Sequence, residues 1–174
     1  MKKTIICGLI GLSMTGGLIA ENLLKNTDFS EISRGLPAYW EFRGPNLEGW
    51  EVNGNVVKIS GGDEPSGVYL IQQGLALAGG AKYTLSYKAR SNKDSQYRVY
   101  CEWTKDNNGK VDWLSSQTTF ASTSTEWQSL TVIFEYGEGA SPVHFVIQVQ
   151  GEGEAEFKDL HLECSVPELE SPAK

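Results

Sequence analysis

The stretch G-V-Y-L-I-Q-Q-G-L-A-L-A-G-G-A-K-Y-T-L-S-Y-K-A-R, from Gly67 to Arg90, decides the fold class. A short apolar strand runs to Gln73, Leu75 and Leu77 follow at a spacing of two, and Gly79-Gly80 break the chain. A second strand then sets Tyr83, Leu85, Tyr87 and Ala89 against Thr84, Ser86, Lys88 and Arg90. Successive strand side chains point to opposite faces, so strict alternation predicts a sheet with one face buried and the other wet.

The same pattern extends in both directions. Asn53-Gly54 marks a hairpin ahead of a strand from Val56 to Ile59. Trp40 and Trp50 flank a loop that contains Pro45. Downstream, Gln96 to Trp103 alternates, Asp106-Asn107-Asn108-Gly109 turns, and a further strand is predicted from Lys110 to roughly Phe120. Trp127 opens a strand with Leu130, Val132, Phe134 and Tyr136 on one face. Pro142 starts another, with Val143, Phe145, Ile147 and Val149 inward, and the last strand ends at Leu160, Leu162 and Cys164. No segment holds helical spacing for more than a turn or two. Many short strands punctuated by turn residues predict an all-β, two-sheet antiparallel β-sandwich of the jelly-roll kind.

Composition narrows the class. The 174 residues carry a net charge of −7. Lys2 and Lys3, the apolar run Ile5 to Leu12, and small residues up to Ala20 read as a signal peptide over residues 1–20, hence a secreted protein without an integral membrane anchor. Residues 21–164 form one domain, and the polar tail 165–174 is expected to be disordered. An acidic chain with no basic patch argues against nucleic acid and anionic membranes as partners. Export permits a disulfide between Cys101 and Cys164, and two buried thiols are the other reading.

The order of several short motifs resembles the carbohydrate-binding modules of families four, nine and twenty-two, of the galactose-binding-domain-like group. They are Asn22-Leu23-Leu24, Asn26-Thr27-Asp28-Phe29, Gly35 to Trp40, Gln73, Tyr83-Thr84-Leu85-Ser86, Trp127-Gln128 and Phe157 to Leu162. The resemblance implies a non-catalytic module that recognises a polysaccharide or glycan on a concave sheet face. It also implies a structural calcium ion, for which Asp159 matches the acidic position of the closing strand. At the N-terminal turn the pattern departs, since Ser30 follows Phe29, which leaves Asp28 or Glu31 to reach the ion or the site lost.

Residue parity selects the groove candidates. With Val99 and Cys101 inward, Arg98, Tyr100 and Glu102 point outward, as do Lys88 and Arg90 and then His144, Gln148 and Gln150. Amides, a carboxylate, cations and an aromatic ring suit sugar hydroxyls and C–H faces, although a solvated sheet face has similar composition. Trp40 and Trp127 are expected as core lids, Trp103 shares phase with the core, and Trp50 and Trp113 are the stacking candidates. Catalytic motifs are absent: there is no Gly-x-Ser-x-Gly and no His-Glu-x-x-His, and only a chance carboxylate pair such as Glu102 with Glu135 would serve hydrolysis. The alternative is an extracellular or cell-surface sandwich that contacts a protein partner.

Overall fold

The computed structural model describes residues 21–44, 49–61, 67–121, 123–137 and 140–165. The predicted signal peptide and all but the first residue of the tail lie outside them. Twelve strands and no helix occur among the described residues. They are β1 (Ile32–Ser33), β2 (Leu36–Pro37), β3 (Glu41–Arg43), β4 (Trp50–Asn53), β5 (Val56–Ser60) and β6 (Val68–Leu75), then β7 (Lys82–Ser91), β8 (Gln96–Asn107), β9 (Lys110–Ser115), β10 (Gln128–Glu135), β11 (Val143–Gln150) and β12 (Glu154–Cys164). A small hairpin, β1-β2, accompanies two five-stranded antiparallel sheets ordered β10-β7-β12-β5-β4 and β3-β6-β11-β8-β9.

The core is the space between those two sheets. Tyr83, Leu85, Tyr87 and Ala89 of β7 face Val99, Cys101 and Trp103 of β8 and Phe145, Ile147 and Val149 of β11 within one buried cluster. Burial of each large apolar side chain contributes about 1.5–3 kcal/mol. Aromatic pairs tie the layers together: Tyr97 packs edge-on to Phe157 at 5.3 Å, and Trp103 stacks on Phe134 at 5.8 Å. Cys101 is buried on β8, Cys164 is half-buried at the end of β12, and no disulfide joins them. Burial pushes the Cys101 thiol pKa up, which keeps it protonated and inert.

Two bulges re-phase the alternation. Gln72 pairs with Phe145 and Leu75 with Val143, so Gln73 and Gly74 together oppose His144, with Gly74 at φ 71°. Likewise Lys158 pairs with Lys88 and His161 with Ser86, so Asp159 and Leu160 oppose Tyr87, with Asp159 at φ 54°. Each extra residue flips the faces of everything after it. That is why Ala155 and Phe157 are buried before the second bulge and Leu160 and Leu162 after it.

Several strand-level expectations change. The strand after Asn108-Gly109 stops at Ser115 rather than near Phe120. The region between Trp40 and Trp50, read as a loop, contains β3, a three-residue edge strand too short to show a period. Trp40 is buried in the core as expected. Trp127 is partly buried, as expected, but does not join the core cluster. It lies half-buried between two cations, with Arg90 4.8 Å and Lys158 4.1 Å from its ring centroid.

Candidate functional site

The outward face of the sheet β3-β6-β11-β8-β9 is laid out in rows set by strand register. One row reads Arg43, Tyr69, Gln148, Arg98, and the next reads Glu41, Ile71, Val146, Tyr100. Beyond them His144 pairs with Glu102, and Glu102 with Ser115. A groove of about 620 Å³ runs over the first two rows, lined by Arg43, Tyr69, Ile71, Arg98, Tyr100 and Glu102 among others. Its floor is apolar: Ile71, Tyr100 and Val146 are buried and pack with Tyr69 into a second, small hydrophobic cluster separate from the core.

Polar groups above that floor are held in fixed positions. Arg98 Nε donates to Gln148 Oε1 at 2.6 Å, and Gln148 Nε2 donates to the Tyr69 hydroxyl at 3.1 Å. Arg98 Nη1 reaches the Thr118 carbonyl at 3.4 Å, and the guanidinium lies 4.4 Å from the Tyr100 ring centroid and 5.3 Å from that of Phe120. Arg43 makes a two-point contact with Glu41, with Nε to Oε1 at 2.5 Å and Nη2 to Oε2 at 3.1 Å, and Gln73 Nε2 donates to the same carboxylate. That arginine holds the Glu41 carboxyl below its ordinary range. Burial, followed by the charge of Glu102, pushes the Tyr100 hydroxyl up to about 12, so it is a neutral donor at neutral pH.

A second hollow of about 520 Å³ continues along the same face, bordered by Gln73, Thr104, Trp113, Ser141 and His144. Trp113 stands opposite Thr104 on the edge strand β9 and is 70% exposed. Trp103 also borders this hollow, and its Nε1 and the Nδ1 of His144 are buried without a hydrogen-bond partner among the described residues. The exposed Trp113 ring is the surface of this hollow suited to a ligand that is apolar on its faces.

The candidates read from the sequence divide. Arg98, Tyr100 and Glu102 line the groove, Gln148 supports Arg98 and Tyr69 from beneath, and Trp113 borders the neighbouring hollow. Gln150 closes one end, packed against Gly67. Trp50 is elsewhere: it pairs with the buried Ile59 on the other sheet, and its ring packs against Phe42 at 6.3 Å, on the core side. Lys88 and Arg90 belong to β7 in that other sheet and pair with Asp159 at 2.9 Å and Glu156 at 2.8 Å. Tyr100 and Gln148, expected to be open, are 4% and 2% exposed because neighbouring rows crowd over them. Glu102 and Glu135 stand on different sheets and form no pair.

The residues proposed for calcium do not assemble. Among the described residues no three metal-ligating side chains gather at one point. The bulge turns Asp159 toward Lys88, while Asp28 accepts from the Ser30 backbone at 3.2 Å and hydroxyl at 2.9 Å. Those Ser30 hydrogen bonds hold the Asp28 carboxyl below its usual range. Glu31 is exposed, and Asn26 instead braces this turn, donating to the Glu31 and Ala38 carbonyls. A calcium shell drawn from this turn would rest on backbone carbonyls beside at most two carboxylates.

Sequence reasoning missed Glu41, Arg43, Tyr69, Ile71, Gln73 and Val146. Parity along Val68 to Gln73 marks Tyr69, Ile71 and Gln73 as one outward set, and that signal was there to use. Val146 follows the same parity on β11 but looks like core.

Two packed antiparallel sheets, one of them crossed by a fixed polar and aromatic groove, define a jelly-roll β-sandwich binding module. A CBM4 domain superposes with a TM-score of 0.59 at 16% identity, over 80% of this chain and 98% of its own. The CBM22-1 xylan-binding domain of Paenibacillus barcinonensis Xyn10C gives 0.57 at 12% identity, over 83% and 95%. The N-terminal cellulose-binding domain of Cellulomonas fimi β-1,4-glucanase C gives 0.55 at 17% identity, over 73% and 89%. At such identities the likeness is one of fold. No curated protein matches the chain. The carbohydrate binding domain model CBM_4_9 matches residues 21–156, and the chain belongs to that family.

Proposed function

We propose that the groove binds a polysaccharide or glycan chain, and that the protein is an exported, non-catalytic binding module. The observation that carries this reading is the groove itself: an apolar floor of Tyr69, Ile71 and Val146, with Tyr100 beneath Arg98, bordered by positioned guanidinium and carboxylate groups. Sugars present hydroxyls at their edges and C–H groups on their faces, and this surface offers both kinds of partner in register. A ring stacked on Trp113 would contribute on the order of 1 kcal/mol beyond buried area, by analogy with aromatic pairs. Each hydrogen bond would add about 0.5–1.5 kcal/mol. Such sums correspond to roughly micromolar-to-millimolar dissociation constants.

The test is a glycan array followed by calorimetric titration of the best binder into the wild type, Trp113→Ala and Glu102→Gln. Trp113 is exposed and Glu102 lines the groove, so each change is expected to weaken binding several-fold while leaving the fold intact. The reading fails if no glycan binds, or if both variants bind as the wild type does. Incubation of the bound glycan should release no shorter product. N-terminal sequencing of exported protein should begin near Glu21, and retention of Met1 would refute export.

A further inference from the structure

We infer that the groove is selective for acidic glycans, with the Arg98 guanidinium receiving a sugar carboxylate end-on; this rests on the groove reading above. Arg98 is the best-positioned cation on this face. Its Nε is held by Gln148 Oε1, one Nη1 hydrogen reaches the Thr118 carbonyl, and its Cζ lies over the rings of Tyr100 and Phe120. Gln148 is buried and is anchored in turn by the Tyr69 hydroxyl. The side chain is therefore ordered before any ligand arrives, and the entropy cost of fixing it on binding is small.

What remains free on Arg98 defines its partner. A guanidinium has five N–H groups. The Nε hydrogen and one Nη1 hydrogen are used, and the guanidinium also donates to the Tyr100 hydroxyl, so two of the five N–H groups are left for a ligand. No carboxylate lies within ion-pair reach of Arg98 there, whereas Arg43, Lys58, Lys88 and Arg90 each have one. Two parallel N–H groups at the Nη end match the two oxygens of a carboxylate. The chain as a whole is acidic, at −7, so general attraction to polyanions is not the source of selectivity.

The position of Arg98 also argues against a neutral stacking site in the middle of the groove. Its guanidinium already covers the Tyr100 ring, the platform that a flat sugar face would use. Glu102, the other charge on β8 in this groove, lies four residues further on, roughly 13 Å along the strand. It is far enough away to accept hydroxyls of a neighbouring sugar without opposing a carboxylate at Arg98.

The experiment compares oligouronides of several linkages with the same oligomers after chemical reduction of their carboxyl groups, so that only the acid function changes. A sulfated oligosaccharide and its desulfated form make a second arm. Wild type, Arg98→Lys and Arg98→Gln are titrated with each. At least one uronide is expected to bind about tenfold more tightly than its reduced form, a margin of one charge-assisted fork. Arg98→Gln should remove that preference, and Arg98→Lys, which keeps charge but not the fork, should remove most of it. The inference is overturned if reduced forms bind as well as the acids, if the sulfated arm is preferred over every uronide, or if the preference survives in Arg98→Gln. Neutral binding without acid preference leaves the groove reading standing. Failure of both classes to bind overturns both. Should Arg98→Gln not fold, the acid-against-reduced comparison in the wild type still decides.

Discussion

At the scale of single residues, the groove is built by buried side chains that also face outward. Gln148 shows why: its carbonyl accepts from Arg98, its amide donates to Tyr69, and it is 2% exposed. Gln148→Ala would leave the Tyr69 hydroxyl and a guanidinium hydrogen without their partner. A loss of about 1–3 kcal/mol is expected, read as a lower midpoint in urea. Trp113→Ala makes the contrast, because an exposed edge-strand ring holds no core, and its stability should stay within about 0.5 kcal/mol of the wild type. Tyr100 adds a pH dependence. Its folded pKa, about 12, stands above the value near 10 of an unfolded tyrosine. A raised folded pKa contributes stability that is fully present below the unfolded value and is lost as pH rises through the folded one. Thermal stability should therefore fall between about pH 10 and 12, and Tyr100→Phe should flatten the fall. Burial raises Tyr87 and Tyr97 as well, so part of the slope should remain.

At the scale of elements, irregular backbone decides where charges point. Gly67 enters β6 at φ 61°, and a Cβ there would come within 2.8 Å of the Gln150 side chain and the Val149 carbonyl. The left-handed backbone alone should cost Gly67→Ala about 1–2 kcal/mol, and the crowding should disturb the end of the groove. A melt of this variant with and without its best glycan would show both effects. The Asp159 bulge works in the opposite sense, re-aiming one carboxylate to Lys88 while keeping Leu160 and Leu162 in the core. A calcium ion at Asp159 would have to displace that lysine. Chelator is therefore expected to leave the melting temperature unchanged, and a drop of several degrees would show that Asp159 and the N-terminal turn close on an ion.

At the scale of the molecule, the sandwich holds without a covalent link between Cys101 and Cys164, so reductant should not shift its melting curve. Two-sheet architecture was legible in the sequence because burial imposes a period of two, and Tyr83 to Ala89 obeys it over a whole strand. The outward direction of Arg98, Tyr100, Glu102 and Gln148 followed from the same parity. Parity says nothing about which sheet a strand joins, so Lys88 and Arg90 looked equivalent to Arg98 until strand order put them on opposite sides of the core. It is also silent on depth: Tyr100 and Val146 alternate like surface residues and are buried by neighbours from other strands. Trp50 failed for a related reason, since a tryptophan after a glycine looks the same whether it caps a core or lines a cleft, and its contact with Phe42 settles the matter. Local periodicity is a property of consecutive residues and survives in one dimension. The groove is made of rows that cross four strands, and hydrogen-bond register between distant segments is what brings Arg43, Tyr69, Gln148 and Arg98 into one line.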